Sequence, residues 1–577
     1  MIERRPVAAP PDPVGMGSPL VCGAVGRFDP DLAGKIASGF DAGLREVHRD
    51  RRSALWLDRE PVVWHGSQVR GLSWSERLPG ATGRERDWRQ AASAGGCSLL
   101  IDGGRRGVHA SSSGIAPLYW LADRDAAYFA TAVDPLARAA PRPLSVDWAA
   151  WASILTLGYP PDDRTPFLEI KRLDPLATLE AAEGSRPRAT AGELAWVEPA
   201  ADDSDERADG VVAALRSEIA QLDPSLPVHC PLSGGWDSRL LLCLLAERDL
   251  ELGAWTTSLD LGETADEDLA PRVAASLGIP HRLVTADGCA FPDALVEAAA
   301  LVEYQAPPRC LNFRRLAAAL PPGPGIVVDG IAGDTLLRGP FAGRRPVESS
   351  DWRHGTTLVF DHYAPPAGRL LLEDGAWERV RAVSRDAFFS QAGRFAGHPS
   401  ATMLGYYWTR TRRRIGLSTV KVFGAGHGLA LPFLADSVAR LAVAAPPEER
   451  LEGRLNRRIL DLANREVGRL PATYDQRFRA PYGGATLAWS AEAQRTYLSL
   501  LERSPLLPWL SPALRRAVDR GRLPGRYNRS YWLLERLQSL CAFTLWAHRY
   551  GDLVSDLDPQ GLLGPVPTGR GLEPARG

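Results

Sequence analysis

The run Pro231-Leu232-Ser233-Gly234-Gly235-Trp236-Asp237-Ser238 constrains this chain more than any other feature. It follows a short apolar segment, 226–232, that reads as a buried strand. It opens a leucine-rich stretch, 238–248, that reads as a helix buried on most faces. A strand, a two-glycine turn and a helix start put several backbone N–H groups where a polyanion can sit. The helix N-terminus adds about half a positive charge there. Ser233 and Ser238 offer hydroxyl donors, and the Asp237 carboxylate can hold a magnesium ion. No lysine stands in the run, so it is not the Gly-Lys-Ser/Thr phosphate loop. The bland alternative is an ordinary Gly-Gly turn. The spacing of so many specified residues between a strand and a helix argues against it.

Strands and helices alternate through this part of the chain. After the helix come strand 253–259, helix 266–277, strand 281–285, helical runs 293–304 and 312–320, and strand 325–329. That alternation predicts a parallel sheet of βαβ units, with ligands at the carboxyl ends of its strands. Just past the last of these strands lies Val328-Asp329-Gly330-Ile331-Ala332-Gly333-Asp334-Thr335. Its glycines, Gly330 first, let backbone approach a ligand, and Asp334 supplies a second carboxylate for magnesium. Alone, this segment would read as a strand-end turn with a solvated aspartate. Beside the first loop it reads as the other half of one site. From 352 onward the chain is mostly helical, ending in the amphipathic run 531–550. Upstream, short β-like runs (20–26, 53–57, 97–102, 117–122, 127–132) between Gly, Pro and Asp turns predict an all-β or α+β layered domain. The acidic segment 200–208 reads as a linker. The expected organisation is a disordered arm over 1–18, domains over 19–200 and 201–558, and a disordered Pro/Gly-rich tail over 559–577.

Composition removes several function classes. At 577 residues, 45% hydrophobic and 24% charged, the chain has the profile of a soluble globular protein of more than one domain. A net charge of −1 argues against nucleic-acid binding by a basic surface. No apolar stretch approaches the ~18 residues of a membrane span. Prolines break the first residues where a signal peptide needs an apolar core, so a cytoplasmic location is expected. The seven cysteines (Cys22, Cys97, Cys230, Cys243, Cys289, Cys310, Cys541) are scattered, with no CxxC pair, which argues against a disulfide framework or zinc site. Cys230 and Cys243 read as core filler. Only three lysines occur (Lys35, Lys171, Lys421), so arginine carries nearly all the positive charge.

The first loop resembles the pyrophosphate-binding SGGxDS loop of the PP-loop ATP pyrophosphatases, which split ATP between its α and β phosphates. Over most of its length the chain resembles the asparagine synthetase B family. GIAGDTLLRG, beginning at Gly330, is similar to that family's second loop, SGEGSDELFGG, with Asp334 on its aspartate. Leu431-Pro432-Phe433-Leu434-Ala435-Asp436 resembles its PFLD segment. Gly114-Ile115-Ala116-Pro117-Leu118-Tyr119-Trp120 resembles its GIKPLYY, Phe129-Ala130-Thr131 its FASE, and Leu157-Gly158-Tyr159 also fits. The resemblance implies an α/β protein. An N-terminal Ntn-hydrolase-like α+β sandwich, a degenerate glutaminase, would precede a parallel-sheet PP-loop synthetase domain with a helical extension. It also implies ATP and Mg2+ as cofactors. The β and γ phosphates would lie on Ser233, Gly234, Gly235 and Ser238, with magnesium on Asp237 and Asp334. Ribose and adenine would lie near Leu232, Gly330 and the strand end Thr256-Thr257-Ser258.

The departures from the family narrow the reading. The family's glutaminase cysteine is N-terminal, in a Cys-Gly-Ile-x-Gly context, and its own α-amine serves as base. Val21-Cys22-Gly23-Ala24-Val25-Gly26 carries the matching sequence, but Cys22 is internal and its amide nitrogen cannot accept a proton. The family's RGPD and NGEIYN segments have no counterpart between Arg45 and Gly96. Cys22 is therefore expected to be a strand core residue. The glutamate of ExRxPFLD falls on Gly428 and its arginine on Ala430. The family's lysine falls on Arg479, within Arg477-Phe478-Arg479-Ala480-Pro481-Tyr482. An arginine can stabilise phosphate charge but not transfer protons, so Arg479 is assigned electrostatic stabilisation, with a surface-loop arginine as the alternative.

Without glutaminase activity, three relatives fit: lasso-peptide cyclases, β-lactam synthetases and free-amine ligases. The cyclases fit best. They share a PFLD segment without the glutamate, an arginine after SGGxDS (here Arg239), and a helical end like Glu535-Arg536-Leu537-Gln538. The implied reaction adenylates an Asp or Glu side chain of a leader-free core peptide, and the peptide's N-terminal amine then closes a macrolactam. The implied partners are the precursor core peptide, a leader peptidase and a leader-recognition protein. A β-lactam synthetase-like or other small-molecule amide ligase, a glutamine-dependent asparagine synthetase and a non-catalytic scaffold stay open as alternatives. Elsewhere, Arg410-Thr411-Arg412-Arg413-Arg414 reads as a solvated helix face, with contacts from it and the nearby Trp408 to peptide carboxylates or ATP phosphates as the alternative. Asp266, Glu267 and Asp268 read as helix capping and dipole compensation. His427 reads as a structural histidine.

Overall fold

The computed structural model describes residues 18–65, 69–75, 96–102, 105–182, 184–197, 204–257, 265–285, 291–307, 311–339, 351–473 and 487–565. The expectations for the arm over 1–17, for Ser258, for Arg479 and its neighbours, and for the tail over 566–577 lie outside these residues.

From Val21–Gly26 to Arg188–Ala189, strands pair into two six-stranded antiparallel sheets. Alternation along each strand sorts its side chains to opposite faces. Val21, Val25, Leu55 and Leu57 of one sheet pack on Leu72, Trp74, Leu99, Val108 and Leu179 of the other. The opposite face of the first sheet carries Cys22, Ala24, Trp56 and Tyr128, covered by Leu32 and Ile36 of the helix Pro30–Ser38 and by Val133 and Leu136 of the helix Val133–Ala139. The α+β layering expected from the turn spacing is present.

The second part is built on a parallel sheet in the order His281–Val284, Leu252–Thr257, Val228–Pro231, Ile326–Val328, Gly428–Ala430. Val228, Cys230, Ile326, Val327 and Val328 are fully buried, as strands covered on both faces require. The chain lays down Val228–Pro231, builds outward on one side, then crosses to Ile326–Val328 on the other. The strand order therefore reverses between Val228–Pro231 and Ile326–Val328, and a crevice opens at such a switch point beyond the carboxyl ends of the strands. Both glycine loops follow these two strands. Gly428–Ala430 is a fifth strand that the helical reading of the later chain did not anticipate.

Three expectations are corrected. The acidic segment read as a linker already enters the helix Ser204–Ala220, where Ala208 is buried and Arg207 pairs with Glu449 at 2.9 Å. The tail read as disordered from 559 begins with the helix Gln560–Leu563, and Leu563 is buried. The arginine run is not solvated. It lies on a π-helical stretch, Tyr407–Gly416, with Arg412 and Arg413 fully buried. Arg412 pairs with Asp174 at 2.9 Å. Arg413 donates to the carbonyls of Pro160 (3.0 Å) and Arg164 (2.7 Å), and Arg414 pairs with Glu535. Acceptors from the antiparallel half and the last long helix replace water, so the run fastens the two halves together. No helix among the described residues is long and apolar enough to cross a membrane.

Candidate active site

The first loop leaves Val228–Pro231 and enters the helix Trp236–Ala246, whose N-cap, Gly235, supplies no side-chain cap. The first-turn N–H groups thus face the loop without a side-chain acceptor from the N-cap, a setting that favours an anion. Side-chain oxygens accept from the loop amides. The Ser233 N–H donates to Ser238 Oγ (3.0 Å), the Gly235 N–H to Ser233 Oγ (3.1 Å), and the Gly234 N–H to Asp266 Oδ1 (2.8 Å). The two serine hydroxyls lie 3.0 Å apart. The Gly234 carbonyl accepts from Arg239 Nη2 (3.2 Å) and from the Thr473 N–H (3.0 Å). Arg239 is fully buried and also donates to the carbonyls of Val467, Leu470 and Pro471, at 3.2, 2.9 and 2.7 Å. It therefore ties the loop to the segment 467–473.

The second loop leaves Ile326–Val328 and enters a π-helical turn, Asp334–Arg338. It meets the first loop directly. A Cβ placed on Gly330 would lie 3.4 Å from the Ser238 nitrogen, and one on Gly333 only 2.9 Å from Asp237 Cβ. The Asp237 carboxyl accepts from Asn456 Nδ2 (2.7 Å). Burial pushes its pKa up to about 7, the neighbouring Asp334 charge adds to the rise, and the Asn456 hydrogen bond and Arg338 oppose it. Asp329, which accepts from the Ile331 N–H at 2.8 Å, is pushed up to about 6 by burial.

Two juxtaposed carboxylates, with the partnerless buried oxygen Asn456 Oδ1 beside them, make a hard-oxygen set that fits a divalent cation. No cluster of three or more His, Cys, Asp or Glu suited to a metal occurs among the described residues. Magnesium commonly takes one or two carboxylates and completes its shell with water and substrate phosphates.

Ser233, Gly234, Gly235, Asp237, Ser238, Gly330 and Asp334, picked out from the sequence, thus converge. Leu232 joins them as a backbone anchor. Its N–H donates to the Trp255 carbonyl and its own carbonyl accepts from Thr256 Oγ1, both at 2.7 Å. Thr257 ends the adjacent strand. Sequence reading missed Asn456, which arrives from a distant segment and belongs to no motif, and gave no role to Arg338, which closes the second loop's own turn. It also missed the reach of Asp266, whose position in an acidic triplet explained it too easily. Cys22 is buried in mid-strand, where burial raises its thiol pKa far above the ordinary value.

A family model described as asparagine synthase matches residues 211–548, a span that takes in both loops, Arg239 and Asn456. No curated protein matches the chain. The chain belongs to the asparagine synthase family, whose members are ATP-dependent amide-bond ligases that form AMP.

Proposed function

We propose that this ligase is a lasso-peptide macrolactam cyclase. It would activate an Asp or Glu side chain of a leader-free core peptide as an acyl-adenylate and join it to the peptide's N-terminal amine. The observation that carries the activation chemistry is the meeting of Asp237 and Asp334 across the two loops at the switch point. Ser233, Gly234, Gly235, Ser238 and the uncapped helix N-terminus bind the β and γ phosphates. Asp237 and Asp334, with Asn456, would hold magnesium, which would supply charge neutralisation for the departing pyrophosphate. A peptide carboxylate oxygen attacks the α phosphorus and the bond to pyrophosphate breaks. The N-terminal amine then attacks the acyl carbon, loses a proton and displaces AMP. Arg479 is assigned to electrostatic stabilisation near the adenylate.

Cys22 supports an amine that does not come from glutamine. The nitrogen that would serve as base is a peptide amide, and Val21 before it is buried and paired with Leu57, so exposing a free amine would cost that buried strand residue. On this reading the two stacked antiparallel sheets are an Ntn-hydrolase-like domain kept for its structural role. Fixing a dozen or more peptide residues in a threaded form costs about 10–20 kcal/mol. The helical region after 352 is the part of the chain with enough mass to shape the cavity that this demands. The partners are the core peptide, a leader peptidase and a leader-recognition protein, in the cytoplasm. The test is incubation with ATP, magnesium and a synthetic leader-free core peptide taken from any short precursor gene found to adjoin this one. A product lighter by one water is expected, and ATP consumption with unchanged peptide mass would overturn the cyclase reading.

A further inference from the structure

The three loop amides of Ser233, Gly234 and Gly235 are all engaged, and they differ in what engages them. Ser233 and Gly235 donate to neutral serine hydroxyls of the loop itself, which can rotate away or donate to phosphate in turn. Gly234 donates to a carboxylate from another element, Asp266 Oδ1 at 2.8 Å. Asp266 stands in the first turn of the helix Ala265–Ser276, which follows the neighbouring strand Leu252–Thr257. Its helix packs against the loop, since a Cβ on Gly234 would lie 3.0 Å from Leu269 Cβ. Gly234 is also held through its carbonyl, which accepts from Arg239 and Thr473.

We propose that Asp266 is a resident competitor of the phosphate chain for the Gly234 amide: it holds the site in the ligand-free protein, yields it to ATP and reclaims it as pyrophosphate leaves. This rests on the reading above that the β and γ phosphates bind this loop. A carboxylate and a phosphate oxygen cannot share one donor at hydrogen-bond distance without like-charge repulsion. The binding free energy of the polyphosphate is therefore reduced by the displaced contact. The consequence is a loop that holds pyrophosphate less tightly than its donors alone would, which favours product release.

The test compares the full-length protein with Asp266→Asn and Asp266→Ala, titrated with inorganic pyrophosphate and with MgATP by calorimetry. Circular dichroism and melting confirm that each variant is folded. Asp266→Asn keeps an oxygen for the Gly234 N–H and removes the charge, so the loop shape is retained. Both variants are expected to bind pyrophosphate at least about tenfold more tightly than wild type, and pyrophosphate should become a stronger product inhibitor of turnover. Equal affinity in wild type and variants would overturn this proposal and leave the loop's phosphate role standing. Weaker binding in Asp266→Asn would overturn it too, because Asp266 would then be ordering the loop for phosphate. Binding by none of the proteins would remove the phosphate role of the loop, and this proposal with it.

Discussion

Gly333 is where a single added methyl group tests the geometry of the site most sharply. Its backbone is ordinary right-handed helix (φ −56°, ψ −50°), so alanine meets no conformational penalty there. The obstacle is space. A Cβ would stand 2.9 Å from Asp237 Cβ, 2.9 Å from Phe433 Cε2 and 3.0 Å from Asp237 Cγ, all inside van der Waals contact. Overpacking of this kind costs about 1–3 kcal/mol, against which alanine regains up to about 1 kcal/mol of backbone propensity. The strain relaxes by moving Asp237 away from Asp334, the pair that defines the site. Gly333→Ala should therefore melt a few degrees lower and bind MgATP about tenfold more weakly, or worse. Gly330→Ala is the internal control for stability. Its Cβ would lie 3.4 Å from the Ser238 nitrogen and 3.6 Å from Asp237 Cβ, contacts close to ordinary, so its melting temperature should stay near wild type. Melting curves and calorimetric MgATP titrations of the three proteins decide the matter. A Gly333→Ala protein equal to wild type in both would refute the inferred contact between the loops.

Further outcomes concern Asp237 and Cys22. Asp237 has its folded pKa raised from 3.8 to about 7, so between those values the folded protein holds a proton that the unfolded chain has lost. Without divalent cation, this group's contribution to stability is present near pH 4 and is lost as pH rises toward 7. Asp237→Asn should lack that slope in pH-dependent melting, and magnesium at pH 7 should raise the melting temperature of wild type but not of Asp237→Asn. Cys22→Ala should remain folded with a loss of about 1 kcal/mol, show no change in cyclisation and release no glutamate from added glutamine. Loss of cyclisation in a still-folded Cys22→Ala protein, or glutamine hydrolysis by the wild type, would contradict the structural role of the N-terminal domain.

The parts of the site written in contiguous sequence were legible, because the loop chemistry is local. Ser233 through Ser238 need only a strand before them and a helix after them, Gly330 through Asp334 a strand before them, and the hydrophobic periodicity supplied these. The parts assembled from afar were not. Asn456 reaches Asp237 across 219 residues, and Arg239 finds its acceptors in 467–471, which no local pattern announces. The strand Gly428–Ala430 is three residues long and carries no alternation to read. The buried arginines were misread for a related reason. A charge run normally faces water, and here Asp174 and the carbonyls of 160 and 164 are brought to it by the packing of the two halves, and Glu535 by the last long helix.

The central claim is that Asp237 and Asp334 together support cleavage of ATP between its α and β phosphates during carboxylate activation. The direct measurement is the identity of the nucleotide products released in step with amide formation, for wild type and for Asp237→Ala and Asp334→Ala. Wild type should release AMP and pyrophosphate in equal amounts. Each variant should fall by about two to three orders of magnitude in rate, since each loses a ligand to the ion that offsets the leaving charge. Release of ADP and phosphate by the wild type, or a wild-type rate in either folded variant, would contradict the account.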